Sequence, residues 1–438
     1  MINYLKRIFP VALAITGLIL VDSPAVAAQS PEAPGDWTGF AFDTCRSPSV
    51  SQMKTWWATS EYKAVGIYTS GNSRACPSGT SANPNLTPSW VAQTAAMGWS
   101  FIPIHVGYQA PCFTRPKSTK MVMSFDLVEA AAQGKSDAQE AAAANQTFGF
   151  KPGSVIYLDI EAFPRSKTCD DAVLAFTDAW TKELHEQGFK SGLYSSGASA
   201  IKLVSDARTK NENFMTWPDH MWTARWSGNP FSGVSTYLSS KLWTDGQRIH
   251  QYTGGHKETR GGVTINVDEN FMTVGKGSVA TADPKPCGVR MSWSKYPKLK
   301  RGSKDARVKT LQCLLKEAGF YKAAKLSGVY DTNTVNAVKN YRSSKRWKRG
   351  DGRSTTKELW TALLSRGSAP EVLKYGSTGE EVWRLQRSLN ATLGGGVQIT
   401  GVYNGNTTSA VKKYRKKIKF AQHPTMQSSV WAKLQKGG

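Results

Sequence analysis

Eight short apolar segments alternating with helical ones, a self-similar C-terminal third and a break in charge between them predict the fold class. It is a (β/α)8 barrel of the TIM type followed by two small all-α repeats. The chain has 438 residues. Single domains cluster near roughly 100–200 residues, so more than one is expected. Hydrophobic residues make up 40% and aromatic ones 11%, which excludes a generally disordered chain.

The strand candidates run in order: Gly39–Asp43, Ala64–Tyr68, Ser100–Val106, Ser154–Ile160, Lys190–Tyr194, His220–Trp226, Arg248–Tyr252 and Ile265–Phe271. Helical stretches such as Phe125–Asn145 and Asp170–Gln187 fall between them. A barrel domain over residues 36–275 accommodates this alternation. The competing arrangement is a doubly wound open sheet. No GxGxxG or GxxxxGK[ST] follows any strand, so a nucleotide-binding sheet loses support.

Residues 276–289, small, polar and Pro-containing, read as a linker. Beyond it, Leu299-Lys-Arg-Gly-Ser303 recurs as Leu373-Lys-Tyr-Gly-Ser377, and Val308, Leu311, Gln312 recur as Val382, Leu385, Gln386. Gly328-Val-Tyr330 recurs as Gly401-Val-Tyr403, and Trp360 and Leu363 as Trp431 and Leu434. A nearly constant offset marks duplicated units, assigned to 290–367 and 371–438. The spacings Val308, Leu311, Leu315 and Val335, Val338, Tyr341 are helical.

The net charge of +24 admits nucleic acid, anionic membrane or an acidic extracellular polymer as partner. From Cys287 onward there are 31 Lys and Arg against 8 Asp and Glu, a net of +23. The first 286 residues hold 25 against 24 and are close to neutral. The excess charge therefore belongs to the repeats, with clusters at Lys345–Arg349 and Lys412–Lys419.

Lys6 and Arg7, the apolar run Ile8–Val21 and the small-residue pattern Ala25-Val-Ala27 read as an export signal over residues 1–28. The run is too short for the roughly 20 residues that span a bilayer, and no later segment is long enough. Export makes nucleic acid a poor partner and leaves wall polymers as the available polyanion. It also favours disulfides among the six cysteines. Pairing within each part leaves Cys287–Cys313 as the pair in the second. Cys45, Cys76, Cys112 and Cys169 in the first allow three connectivities, all open.

Two family resemblances follow. Leu299-x-x-Gly302-Ser303, Val308-x-x-Leu311-Gln312-x-x-Leu315, Gly328-Val-Tyr-Asp331 and Thr334-x-x-Ala337-Val338-x-x-Tyr341 resemble the three-helix peptidoglycan-binding domain, with Asn404 replacing Asp331 in the second copy. Members bind cell-wall peptide or glycan, which implies a wall-binding role here. Gly39-Phe-Ala-Phe-Asp43, Val65-Gly-Ile-Tyr68, Tyr157-Leu-Asp-Ile-Glu161, Gly192-Leu-Tyr-Ser195, Trp222-Thr-Ala-Arg-Trp226, His250-Gln-Tyr252 and Val267-Asp268 resemble the actinobacterial glycoside-hydrolase-like barrel family, itself related to the family 25 lysozymes.

The chemistry centres on Asp159-x-Glu161. On a strand, residues i and i+2 share a side, about 6.5–7 Å apart, and barrel active sites lie at the C-terminal strand ends. Asp43 and Asp268 end other strand candidates, so four carboxyls converge. Repulsion and burial then raise at least one pKa, as glycoside cleavage requires of its proton donor. The lysozyme resemblance implies Glu161 as general acid and Asp159 as charge stabiliser or orienter of an N-acetyl group. Asp43 and Asp268 would position substrate or tune Glu161. Trp222, Trp226, Tyr252 and Gln251, with Tyr68 and Tyr194, are the expected sugar-binding residues, because flat aromatic faces suit sugar C–H faces. His105 reads as a structural histidine.

These readings converge on a secreted, wall-associated, monomeric glycoside hydrolase of lysozyme type, acting on peptidoglycan or related wall glycan. No metal or other cofactor is expected: no HExxH or CxxC occurs. The alternatives are a non-catalytic wall-glycan binder using the same cleft and a structural wall protein acting through its repeats.

Overall fold

The structure, a computed structural model, describes residues 32–114, 121–347 and 350–438. The export segment expected over residues 1–28 lies outside the described residues, as do Lys348 and Arg349 of the first basic cluster. No described helix is long and apolar enough to cross a membrane.

The barrel contains, in order, β1 (Trp37–Asp43), α1 (Val50–Thr59), β2 (Ala64–Ser70), α2 (Pro88–Ala96), β3 (Ser100–His105), α3 (Leu127–Thr147), β4 (Val155–Ile160), α4 (Lys167–Glu186), β5 (Lys190–Ser196), α5 (Lys202–Lys210), β6 (His220–Ala224), β7 (Gln247–Arg260) and β8 (Val263–Val274). The eight strands close in sequence order. Side chains two apart alternate between inside and outside. Ala41, Ala64, Ile104, Tyr157, Trp222, Ile249 and Met272 fill the interior. Phe42, Val65, Phe101, Leu158, Leu193 and Met221 face the helices.

The barrel departs from the expected (β/α)8 pattern at its end. Strands β1 to β7 run parallel, whereas β8 is antiparallel to both β7 and β1. The cause is local. Gly261 and Gly262 form a two-residue turn with φ of +58° and +84°, the conformation of a tight hairpin. A parallel return needs a crossover of a dozen residues or more. Among the described residues, no barrel helix therefore covers the outer face at the β8–β1 seam.

That face is covered otherwise. Phe40 and Phe271 project from it, packed edge-on against Phe231 at 6.4 and 5.1 Å and Tyr375 at 5.0 and 6.0 Å. Tyr375 belongs to the second repeat, which thus stands where a barrel helix is missing.

The first repeat comprises α6 (Ala306–Glu317), α7 (Thr332–Ser344) and α8 (Lys357–Leu364). The second comprises β9 (Val372–Leu373), α9 (Glu380–Leu393), α10 (Gly405–Lys417), β10 (Met426–Gln427) and α11 (Ser428–Gln435). Their apolar residues form two cores, the first of which also takes in Ala391 of α9. The repeated glutamine explains part of the motif. Gln312 accepts from Gly328 N at 2.9 Å and donates to Val329 O at 3.0 Å, clamping the Gly-Val-Tyr turn. Gln386 does the same with Gly401 N and Val402 O, both at 2.9 Å. The Asp331-to-Asn404 exchange is conservative, since each side chain caps its helix by accepting from the third residue on.

Disulfides join Cys45 to Cys76 and Cys287 to Cys313, which resolves the open connectivity. Against the expectation of full pairing, Cys112 and Cys169 are free thiols. They are neighbours, with Cys112 N donating to Cys169 Sγ at 3.2 Å. Burial and the neighbouring thiol push Cys169 up to about 12.

Candidate active site

A cleft of about 420 Å³ opens at the C-terminal mouth of the barrel, lined by Tyr68, Asp159, Glu161, Ala162, Tyr194, Ser196, Ala224, Trp226 and Asp268. Asp159 is the inward residue near the end of β4, and Glu161 follows two positions on. A residue unmarked in the sequence reading fixes this segment. The buried Gln109 donates from Nε2 to Asp159 O and accepts at Oε1 from Glu161 N, both at 2.8 Å.

Asp43 lies beneath the cleft at 1% exposure, paired in register with Asp268 across β1 and β8. Asn270 Nδ2 donates to Asp43 Oδ2 at 2.8 Å, Gln251 Nε2 to the same oxygen at 3.1 Å and Tyr68 OH to Oδ1 at 3.2 Å. A Cβ on Gly66 would collide with Asp43 Cβ, so this position needs glycine. Burial, then the Asp268 charge, pushes Asp43 up to about 7. Burial also raises Asp268. Burial thus pushes Asp43 toward neutrality, and at 1% exposure it does not line the cleft, which corrects the expectation that it positions substrate.

The aromatic expectations divide. Trp226 is 67% exposed and lines the cleft with Tyr68 and Tyr194. Gln251 Oε1 accepts from both Tyr194 OH and Trp226 Nε1 at 2.9 Å, so it holds two cleft-lining rings and does not line the cleft itself. Trp222 is buried under the floor, donating from Nε1 to Asn270 Oδ1 at 2.7 Å. Tyr252 is likewise buried, bonded toward Glu269 and not a lining residue. The direct contacts expected of Trp222, Gln251 and Tyr252 are therefore corrected. Trp222 and Gln251 are inward strand residues covered by the layer above them, whereas Tyr252 lies with His250 and Glu269 on the outer side of its strand.

His105 is structural, as expected: Nδ1 lies 2.8 Å from Ser70 Oγ and Nε2 3.2 Å from Asp137, all buried outside the cleft.

The Asp43 shift has a thermodynamic sign. Its folded pKa lies above the unfolded value of 3.8, so the folded chain binds the proton more tightly. The resulting stability is complete below about 4 and is lost as pH rises through about 7. The stability difference between wild type and Asp43→Asn, read as a difference in melting temperature, is expected to shift toward wild type at pH 5 relative to pH 8 by roughly several degrees. Comparing the two proteins at each pH cancels the opposite contribution of His220, which burial lowers to about 4. Thermal unfolding of both proteins at both pH values measures this. A difference between them that is the same at both pH values would place the proton elsewhere.

The closed barrel, with clustered carboxyls and an aromatic rim at its mouth, defines a glycoside-hydrolase-like protein. Residues 54–272, half of the chain, match the model of the Rv2525c-like, glycoside hydrolase-like domain, and the chain belongs to that family. Residues 304–363 match a putative peptidoglycan binding domain. Among solved structures, the chain is similar to the Mycobacterium tuberculosis Tat-secreted protein Rv2525c, at 15% identity over 54% of this chain and 95% of that one, with a TM-score of 0.36. It is also similar to a family 25 glycosyl hydrolase from Bacillus anthracis, at 13% identity over 57% and 94%, with a TM-score of 0.31. The Clostridium perfringens spore cortex lytic enzyme shows 16% identity over 54% and 67%, with a TM-score of 0.34. No curated protein matches the chain.

Proposed function

We propose that the barrel is a lysozyme-type glycoside hydrolase acting on peptidoglycan or related wall glycan, in an exported, wall-associated, monomeric protein. The supporting observation is one open cleft lined by Asp159, Glu161 and Asp268 with Trp226, Tyr68 and Tyr194. Glu161 donates the proton to the leaving glycosidic oxygen. Asp159 stabilises the developing positive charge or orients an N-acetyl group as internal nucleophile. Asp268 and the buried Asp43 below it set the field at the cleft floor. The Trp226 face packs against a sugar ring.

A second reading, a glycan binder without cleavage, is favoured by one observation: Asp43, the carboxyl that burial pushes up to about 7, lies beneath the floor and does not line the cleft. The full chain incubated with insoluble peptidoglycan is expected to release reducing ends in proportion to time and protein. Sedimentation with the wall but no release would leave the binder.

A further inference from the structure

The two repeats share a motif but present it to different surroundings. In the second, the Leu373–Ser377 turn is pressed against the barrel. Lys374 is 2% exposed, donating from Nζ to Tyr62 O at 2.7 Å and lying 3.8 Å above the Trp57 ring. Tyr375 packs on Phe40 and Phe271. A Cβ on Gly376 would collide with Thr38 O and the Trp37 ring. Trp383 is also buried, donating from Nε1 to Thr281 O at 3.2 Å.

The first repeat builds the same turn. Gly302 N donates to Tyr330 O at 2.9 Å and Tyr330 N to Ser303 O at 2.8 Å, as Gly376 N does to Tyr403 O at 2.7 Å and Tyr403 N to Ser377 O at 2.8 Å. Here a Cβ on Gly302 would meet nothing within 4 Å. The positions matching Lys374, Tyr375, Thr378 and Trp383 are Lys300, Arg301, Lys304 and Lys309, all exposed. Lys309 lies along Gly328 as Trp383 lies along Gly401, which confirms the equivalence. One face of the module is thus consumed as a docking surface in one copy and is open and basic in the other.

We propose that the Lys300, Arg301, Lys304 and Lys309 face of the first repeat is the wall-engaging surface and takes the peptide carboxylates of peptidoglycan, while the second repeat is a fixed part of the barrel. Four cations on one turn and its flanking helix complement a polymer with repeated carboxylates. The peptidoglycan-binding match over 304–363 includes Lys304 and Lys309 and selects peptidoglycan over phosphate polymers as the partner. The inference rests on the wall-associated reading above and adds which repeat and which face carry it.

The test is co-sedimentation of the full chain with insoluble peptidoglycan freed of phosphate polymers, at low salt. Wild-type protein is expected to pellet. Lys300→Glu/Lys304→Glu is expected to weaken binding by roughly tenfold or more, and Lys300→Gln/Lys304→Gln by less. Amidating the peptidoglycan carboxyls should release the wild type. Lys54→Glu/Lys241→Glu, which removes the same charge from exposed barrel positions, should bind as wild type. Equal loss in both Glu pairs would reduce the effect to net charge and overturn the proposal, as would undiminished binding by the Lys300/Lys304 pair. Binding only to walls that retain phosphate polymers would also overturn it. Failure of the wild type to pellet with any wall would instead sink the wall-associated reading itself.

Discussion

Glu161→Gln is expected to lower the rate of glycan cleavage by about 10²–10⁴-fold, the usual contribution of a positioned general acid. The substitution keeps the side chain's length and shape and removes only the transferable proton. The contact that fixes the segment, Glu161 N to Gln109 Oε1, is made by the backbone and survives. Folding and glycan binding should therefore be unchanged, and the loss should fall on kcat with KM nearly constant, as for an interaction made only in the transition state. Turnover of soluble glycan fragments measures this. Asp159→Asn is expected to lower kcat as well, since its carboxylate lines the same cleft and the proposed mechanism sets it against the same reacting centre. An equally active Glu161→Gln protein would remove Glu161 from the mechanism, and a variant that loses binding would make it a binding residue.

The site was legible in the sequence where it depends on local periodicity. Asp159 and Glu161 project into one cleft because a strand repeats every two residues, and that period needs no tertiary knowledge. What lay deeper was not legible. Gln109 and Asn270 act through hydrogen bonds to partners 50 to 227 residues away, and no local pattern marks a polar residue as a support for a distant carboxylate. Trp222, Gln251 and Tyr252 lie within β6 and β7, and their exclusion from the cleft depends on the depth and the side of the barrel wall at which each strand places them. The antiparallel β8 did leave a signal: Gly261-Gly262 between alternating segments is a hairpin turn. The repeats were legible as a pair, but their unlike fates were not. Lys300 and Lys374 occupy the same motif position, and only the three-dimensional neighbours, solvent for one and Tyr62 and Trp57 for the other, separate them.

That contrast gives the second large effect, on stability. Lys374→Ala is expected to destabilise the docked barrel and second repeat by about 2–4 kcal/mol, whereas Lys300→Ala should change stability by less than about 0.5 kcal/mol. The buried lysine contributes three things that alanine lacks. Its methylene stem fills space between the repeat and the barrel, and its loss leaves a cavity. Its ammonium donates to Tyr62 O, a bond worth about 1.5–3 kcal/mol for a charged donor. It also lies over Trp57 and, at 5.2 Å, Trp99, an attraction of about 0.5–2 kcal/mol. Against these stands desolvation, which pulls its pKa well below the usual lysine range and explains why the net figure is smaller than the sum. Lys374→Met retains the stem and isolates the polar part, so it should cost less than the alanine variant. Urea unfolding of the three variants measures the ordering, and proteolysis within residues 276–289 should speed up only where the repeat has let go. If Lys374→Ala proves as mild as Lys300→Ala, the second repeat is tethered to the barrel rather than built into it, and the loss of the barrel's last helix is not compensated by this contact.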